Sequence, residues 1–285
     1  MARRRFAEEP VARLAVWARW VGLFSLAVVL LAVTIARSGM LDIIPALVTF
    51  AAGLALAVAA ILIAFAAFAV IWRSGLGGLG QAVTGLLIGL ALCAYPAFLV
   101  IRAYKMPVIA DVSTDPVDPP RFEAITRIRT RQANSVAYAG LATPELVRAT
   151  YPDVEPLDLA LPPSGAYAAV LAALAKRKDN VIAPLWRVID ERPPIAGTRD
   201  GYIEAIAYTP IMGFRDDVVI RVRPARGGSR IDVRSASRYG RWDFGVNAKR
   251  VERLLEDIND FSDTIKPERP APPKAPPKKG DQRKR

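Results

Sequence analysis

Three apolar runs crowd into the first 105 residues, and a water-soluble fold has nowhere to put all of them. Trp20–Ala36 is 17 residues without a charge, Ile43–Trp72 is 30 and Ala82–Ile101 is 20. At about 1.5 Å per helical residue, against a hydrocarbon core about 30 Å thick, each can cross a bilayer. The first does so only just, and the second is long enough to tilt. With no charged side chain inside any run, an ion or proton path through this region alone is disfavoured. Gly85 and Gly89 lie four residues apart, which bares one face of a helix for close contact. Packing within a three-helix bundle is the expected use. Pro96 falls in the third run, where neighbouring helices can absorb its missing N–H.

Charge is distributed as such a protein requires. The formal net charge is +12, but residues 1–105 hold 9 Lys/Arg against 3 Asp/Glu, residues 106–265 hold 22 of each, and residues 266–285 hold 8 against 2. The middle is neutral, so a nucleic-acid partner is disfavoured. Basic residues gather before the first run and, in the short loops, Arg37 and Arg73 stand alone. Counting loop charges puts the N-terminus inside and the C-terminal domain on the far side of the membrane. The division read from this pattern is an inner N-terminus (1–19), a three-span region (20–105), a folded domain (106–265) and a basic, proline-rich tail (266–285). The tail has no large apolar residue and is expected to be disordered, within reach of anionic surfaces.

There is no histidine, and Cys93 is the only cysteine. Disulfides, Cys/His zinc sites and Ser-His-Asp triads are thereby ruled out, and no cofactor or metal is expected.

Residues 106–265 read as α+β. A proline-rich strap, Met106–Phe122, leaves the membrane and is expected to lie against the domain. Thr143–Thr150 reads as a short helix, with Pro144 at its first position, and Ser164–Lys178 as a longer one. Four strands follow at Trp186–Glu191, Tyr202–Thr209, Asp217–Arg223 and Arg230–Ser237, then a helix over Val246–Ser262. Strands in a run with helices at either end predict an antiparallel four-stranded sheet with helices packed on one face.

The last two strands carry the chemistry. Val218, Ile220 and Val222 alternate with Val219, Arg221 and Arg223, and beyond a loop of several residues over Pro224–Gly228, Ile231 and Val233 alternate with Asp232 and Arg234. The polar face is expected to be solvated. The alternative is an anion pocket built from Arg221, Arg234, Arg238 and Arg250 near a helix N-terminus, where guanidinium forks and free N–H groups suit phosphate or carboxylate. Asp216 and Asp217, adjacent on a strand, point to opposite faces and do not make an acid/base pair. Ser235 and Ser237 precede Lys249, but nothing in the sequence brings the lysine close to either. Asp243 or Asn247 is placed to cap the final helix.

This stretch resembles the domain of unknown function family 1499, which has membrane-anchored bacterial members. Its Phe-x-Asp-Asp strand is Phe214, Asp216 and Asp217 here. Its Arg-Ser-x-Ser-Arg-x-Gly-x-x-Asp-x-Gly-x-Asn-x-x-Arg run is Arg234, Ser235, Ser237, Arg238, Gly240, Asp243, Gly245, Asn247 and Arg250. The resemblance covers roughly 107–262 and imports no activity. Taken with the three spans and the loop charges, its bacterial members point to a multi-pass protein of a bacterial inner membrane with a periplasmic domain. The expected role is a non-enzymatic envelope binding or assembly component, contacting the lipid bilayer and an anionic lipid, metabolite or cell-wall ligand. The alternatives are an enzyme acting on an envelope or lipid substrate through Asp216, Ser235 and Asp243, and a scaffold subunit with a membrane protein partner.

Overall fold

The computed structural model describes residues 10–39, 43–138, 142–178 and 186–265. Arg3, Arg4 and Arg5, which belong to the basic residues ahead of the first apolar run, and the basic tail lie outside the described residues.

Each apolar run forms a helix that outlasts it at both ends or at one: α1 (Arg13–Ser38), α2 (Ile43–Ser74) and α3 (Leu79–Lys105). All three are long and apolar enough to cross a membrane. Small residues bring them together. A Cβ placed on Gly85 would stand 2.4 Å from the carbonyl oxygen of Ala18 on α1, and one on Gly89 would stand 2.8 Å from that of Ala57 on α2. The glycine pair therefore serves contacts within the chain, one glycine to each neighbouring helix. At one end of the bundle Ala12 and Gly77 pair through their backbones, with Ala12 N–H donating to Gly77 O at 3.0 Å.

Beyond α3 the chain builds one antiparallel sheet from β1 (Asp111–Ser113), β2 (Leu157–Leu159), β3 (Trp186–Arg192), β4 (Gly201–Tyr208), β5 (Arg215–Ala225) and β6 (Gly228–Ser237). The order is β1-β6-β5-β4-β3, and β2 also pairs with β6. The sheet thus has six strands where four were expected. The two extra ones, three residues each, share the outer edge of β6: β1 opposite Arg234–Ala236 and β2 opposite Ser229–Ile231. Strands that short show no period of their own. The β5–β6 hairpin is also tighter than expected. Ala225 pairs with Gly228, leaving a two-residue turn in which Gly227 takes φ 81°. Pro224 can sit in β5 because it lies past Val222, the last residue paired with β4.

Helices α4 (Ala124–Ile128), α5 (Ala142–Thr150), α6 (Pro163–Lys178) and α7 (Val246–Thr264) complete the fold. The main core lies between one sheet face and α6 and α7: Val218, Ile220, Val222, Ile231 and Val233 meet Val170, Leu174, Val251, Leu254 and Ile258. The second face was expected to be solvated, and here the structure differs. Arg221, Asp232 and Arg234 are 5%, 0% and 2% exposed. The segment running from the strap through α4 lies over them, with Phe122 and Ile125 packed on Ile206, Val219 and Ala236. Ile125 and Val219, both fully buried, each contribute about 1.5–3 kcal/mol to holding it there.

Candidate functional site

Six of the ten side chains singled out from the sequence meet at the start of α7, on the helix side of the sheet. The chain arrives through Phe244 and Gly245, both in the left-handed region at φ 52° and 74°. That turn lets Asp243 fold back as the cap: Oδ1 accepts the Gly245 N–H and Oδ2 the Asn247 N–H, each at 2.9 Å. Asn247, the next polar residue inward, links helix to sheet. Its Oδ1 accepts from Ser235 Oγ at 2.8 Å, and its Nδ2 donates to Ser237 Oγ at 3.0 Å and to Ala110 O at 3.1 Å. One turn on, Arg250 donates to Ser235 Oγ at 2.9 Å and through Nη2 to Asp216. Burial raises the pKa of both Asp216 and Asp243. The Arg250 guanidinium opposes it at the first, and the two capping N–H groups at the second.

The other four lie on the opposite face, under the strap. Asp217 receives Arg238 Nε at 2.8 Å on one oxygen and Arg129 Nε at 2.6 Å on the other. Arg221 grips Asp232 Oδ2 at 2.9 Å and reaches Asp118 Oδ2 at 2.9 Å. Arg223 and Arg230 converge on Asp115, at 3.0 and 3.1 Å. Burial would raise the Asp115 pKa, but backbone N–H groups and these arginines bring it below the ordinary carboxylate value. Arg234 forks onto Asp111, donates to Pro120 O at 3.1 Å, and lies between the rings of Phe122 and Tyr138, with Cζ 4.6 and 5.1 Å from their centroids. Burial raises Asp111, against the pull of Arg234.

Sequence reasoning missed the partners: Asp111, Asp115, Asp118 and Arg129 on the covering segment, and Glu204 on β4. The fully buried Glu204 accepts the N–H groups of Glu123, Ala124 and Ile125 at 2.9 to 3.0 Å, anchoring the start of α4. A readable signal existed for two of them. Asp115 and Asp118 each stand just before a proline in the strap, and Asp115 Oδ1 accepts the N–H groups of Val117 and Asp118, at 3.2 and 3.0 Å, in a turn that presents both carboxylates to the arginines of the hairpin.

Chemically, the ten residues form two groups separated by the thickness of the sheet. In both, each guanidinium already faces a carboxylate, so an incoming anion has to compete with a neighbouring aspartate. Ser235 is fully buried and bonded to Asn247 and Arg250, while Lys249 is exposed, so no serine–lysine couple forms. Among the described residues no three acidic or thiol side chains gather so as to hold a metal ion.

A family model described as "Protein of unknown function (DUF1499)" matches residues 111–258. The match begins with β1 and ends inside α7, taking in all six strands and both polar groups and leaving out α1–α3. No curated protein and no solved structure matches the chain.

Proposed function

We propose, from the premise that this chain belongs to the DUF1499 family of proteins of unknown function, that it acts as a membrane-anchored, non-enzymatic binding or assembly component of a bacterial cell envelope. The observation that carries this reading is how the charged groups of the signature are used. Asp216 is held by Arg250, Asp217 by Arg129 and Arg238, and Asp232 by Arg221. These buried pairs fix the covering segment and α7 to the sheet and so hold the shape of a surface. A group that reacts must reach its substrate, whereas these are closed off by one another.

The short-loop charges favour an inside N-terminus, which places the sheet outside the cytoplasm, the side on which envelope ligands lie. A periplasmic domain of an inner-membrane protein is the localisation we propose on that basis.

The test is native mass spectrometry of the full-length protein extracted in mild detergent from its own membrane. Retention of a stoichiometric envelope protein or cell-wall fragment is the expected result. Turnover of a lipid or cell-wall substrate by the same preparation, lost on Asp216→Asn with folding intact, would overturn the proposal in favour of an enzyme.

A further inference from the structure

The ends of α1 and α3 nearest the sheet are ringed by two loops of the α+β region. Arg37, in the last turn of α1, donates to the carbonyls of Pro210 and Ile211, and Arg215 Nη2 donates back to Gly39 O at 3.3 Å. On the other side, a Cβ on Gly245 would stand 3.2 Å from Met106 Cε and 3.6 Å from Arg102 Nη2, and the Asp243 N–H donates to Ile109 O at 2.9 Å. The loop at 209–214 is therefore seated against the end of α1, and the loop at 240–246 against the end of α3.

Both loops expose apolar side chains at that level. Ile211 is 53% exposed, Trp242 37% and Val246 41%, and Tyr104, on α3 itself, is 89% exposed. Tyr104, Trp242 and Val246 lie at the end of α3, where Phe98 and Ile101 are also uncovered, and Ile211 lies at the end of α1. Interleaved with them are Arg37, Arg102, Lys105, Arg215 and Arg241. Among the described residues none of these five cations forms an ion pair, whereas every arginine of the sheet's buried face does. The depth fits. A helix the length of α3 spans about 40 Å at 1.5 Å per residue, against about 30 Å of hydrocarbon, which carries its last turn into the headgroup layer.

We propose that this juxtamembrane collar binds the headgroups of anionic phospholipid and seats the α+β region on the bilayer. Guanidinium and ammonium groups match headgroup phosphates, and a tyrosine and a tryptophan with apolar neighbours suit the boundary between headgroups and acyl chains. Net negative lipid supplies the charge that the collar lacks. The surface is continuous with the lipid-facing side of the helices, which favours lipid over a protein partner as its occupant. It lies apart from the buried charge network and stands whether or not an envelope partner is found.

The experiment uses full-length protein in nanodiscs holding equal mole fractions of phosphatidylcholine and phosphatidylglycerol, released and weighed by native mass spectrometry. Phosphatidylglycerol should be retained several-fold over phosphatidylcholine. Lys105 and Arg241 are exposed and make no ion pair, so the double variant Lys105→Gln/Arg241→Gln should keep its fold and lose at least half of that preference, while Lys105→Arg/Arg241→Lys keeps it. Equal retention of the two lipids by the native protein, or an unchanged preference in the glutamine pair, would overturn the proposal. A second measurement covers seating. The absolute tryptophan intensity lost to chain-brominated lipid, to which Trp17, Trp20 and Trp72 on α1 and α2 also contribute, should fall in Trp242→Phe relative to the native protein, and an identical lost intensity would place Trp242 away from the bilayer and reject the collar.

Discussion

Arg234 on β6 and Asp111 on β1, 123 residues apart, meet as a two-bond fork: Nε to Oδ1 at 3.0 Å and Nη2 to Oδ2 at 2.6 Å. The guanidinium plane also lies between two aromatic rings. Removing one partner of a buried pair leaves an uncompensated charge, which costs about 3–5 kcal/mol. Arg234→Ala should therefore destabilise the protein by that amount. Arg234→Lys should recover only part of it, because an ammonium makes neither the fork nor the stacking contact. The joint change Arg234→Met/Asp111→Leu should cost less than either partner's removal. Urea unfolding of the full-length protein in detergent, followed by tryptophan fluorescence, measures all three. A loss below about 1 kcal/mol for Arg234→Ala would show that the fork is not holding the strap.

The buried carboxylates predict a pH dependence. Burial raises Asp111, Asp216 and Asp243 above the ordinary value of 3.8. A group raised on folding contributes stability that is present below its unfolded pKa and lost as pH climbs through its folded one. Asp115 runs the other way. Its lowered pKa contributes stability above 3.8 that is lost as pH falls through the folded value. Thermal stability should accordingly rise as pH drops from neutral into the mildly acidic range and decline again below about pH 4. Asp216→Asn should flatten the acidic rise, and an unchanged pH profile in that variant would remove Asp216 from the account.

Much of this was legible because it is local. Apolar runs with no charge became α1–α3, and the alternation around Val218–Val222 and Ile231–Val233 became β5 and β6 with the correct faces inward. Asp243 capped α7 because a carboxylate two and four residues ahead of free N–H groups needs no distant help. What was missed is non-local. Alternation shows that Arg221 and Arg234 share a polar face, but not that a segment about a hundred residues earlier lies on it carrying Asp111, Asp115 and Asp118. β1 and β2 are strands only because β6 offers them an unpaired edge. The opposite placement of Asp216 and Asp217 was legible, since neighbours on a strand point to opposite sides, whereas the partners each of them finds there were not.

Gly85 should tolerate no side chain. A methyl group there would lie 2.4 Å from the Ala18 carbonyl oxygen, a backbone atom that cannot move aside without shifting α1. Overpacking of this kind costs about 1–3 kcal/mol. Gly85→Ala should lower the midpoint of thermal unfolding in detergent, and Gly85→Leu should lower it further. Gly80→Ala, with nothing within 4 Å of its added carbon, is the control and should be neutral or slightly stabilising through helix propensity. Equal midpoints for Gly85→Ala and Gly80→Ala would mean that α1 and α3 are not in contact at that point.

The clasp between the bundle and the sheet should open without unfolding either. Arg37 holds the carbonyls of Pro210 and Ile211, Arg215 holds that of Gly39, and beneath them Ala36, Ile43 and Ala46 pack with Met212, Phe214 and Tyr239. The bonds are solvent-exposed and net about 1 kcal/mol, while the apolar contact remains when they are cut. Arg37→Ala should thus speed hydrogen exchange of the amides at 211–214 about fivefold, since 1 kcal/mol is close to that factor in an equilibrium constant. Amides in the centres of β5 and β6 should exchange at the native rate. Arg37→Lys should fall between, because one ammonium can reach one of the two carbonyls. Faster exchange throughout β5 and β6 would instead mean that the clasp is part of the sheet's own stability, and unchanged exchange at 211–214 would mean that the apolar contact alone holds the two layers together.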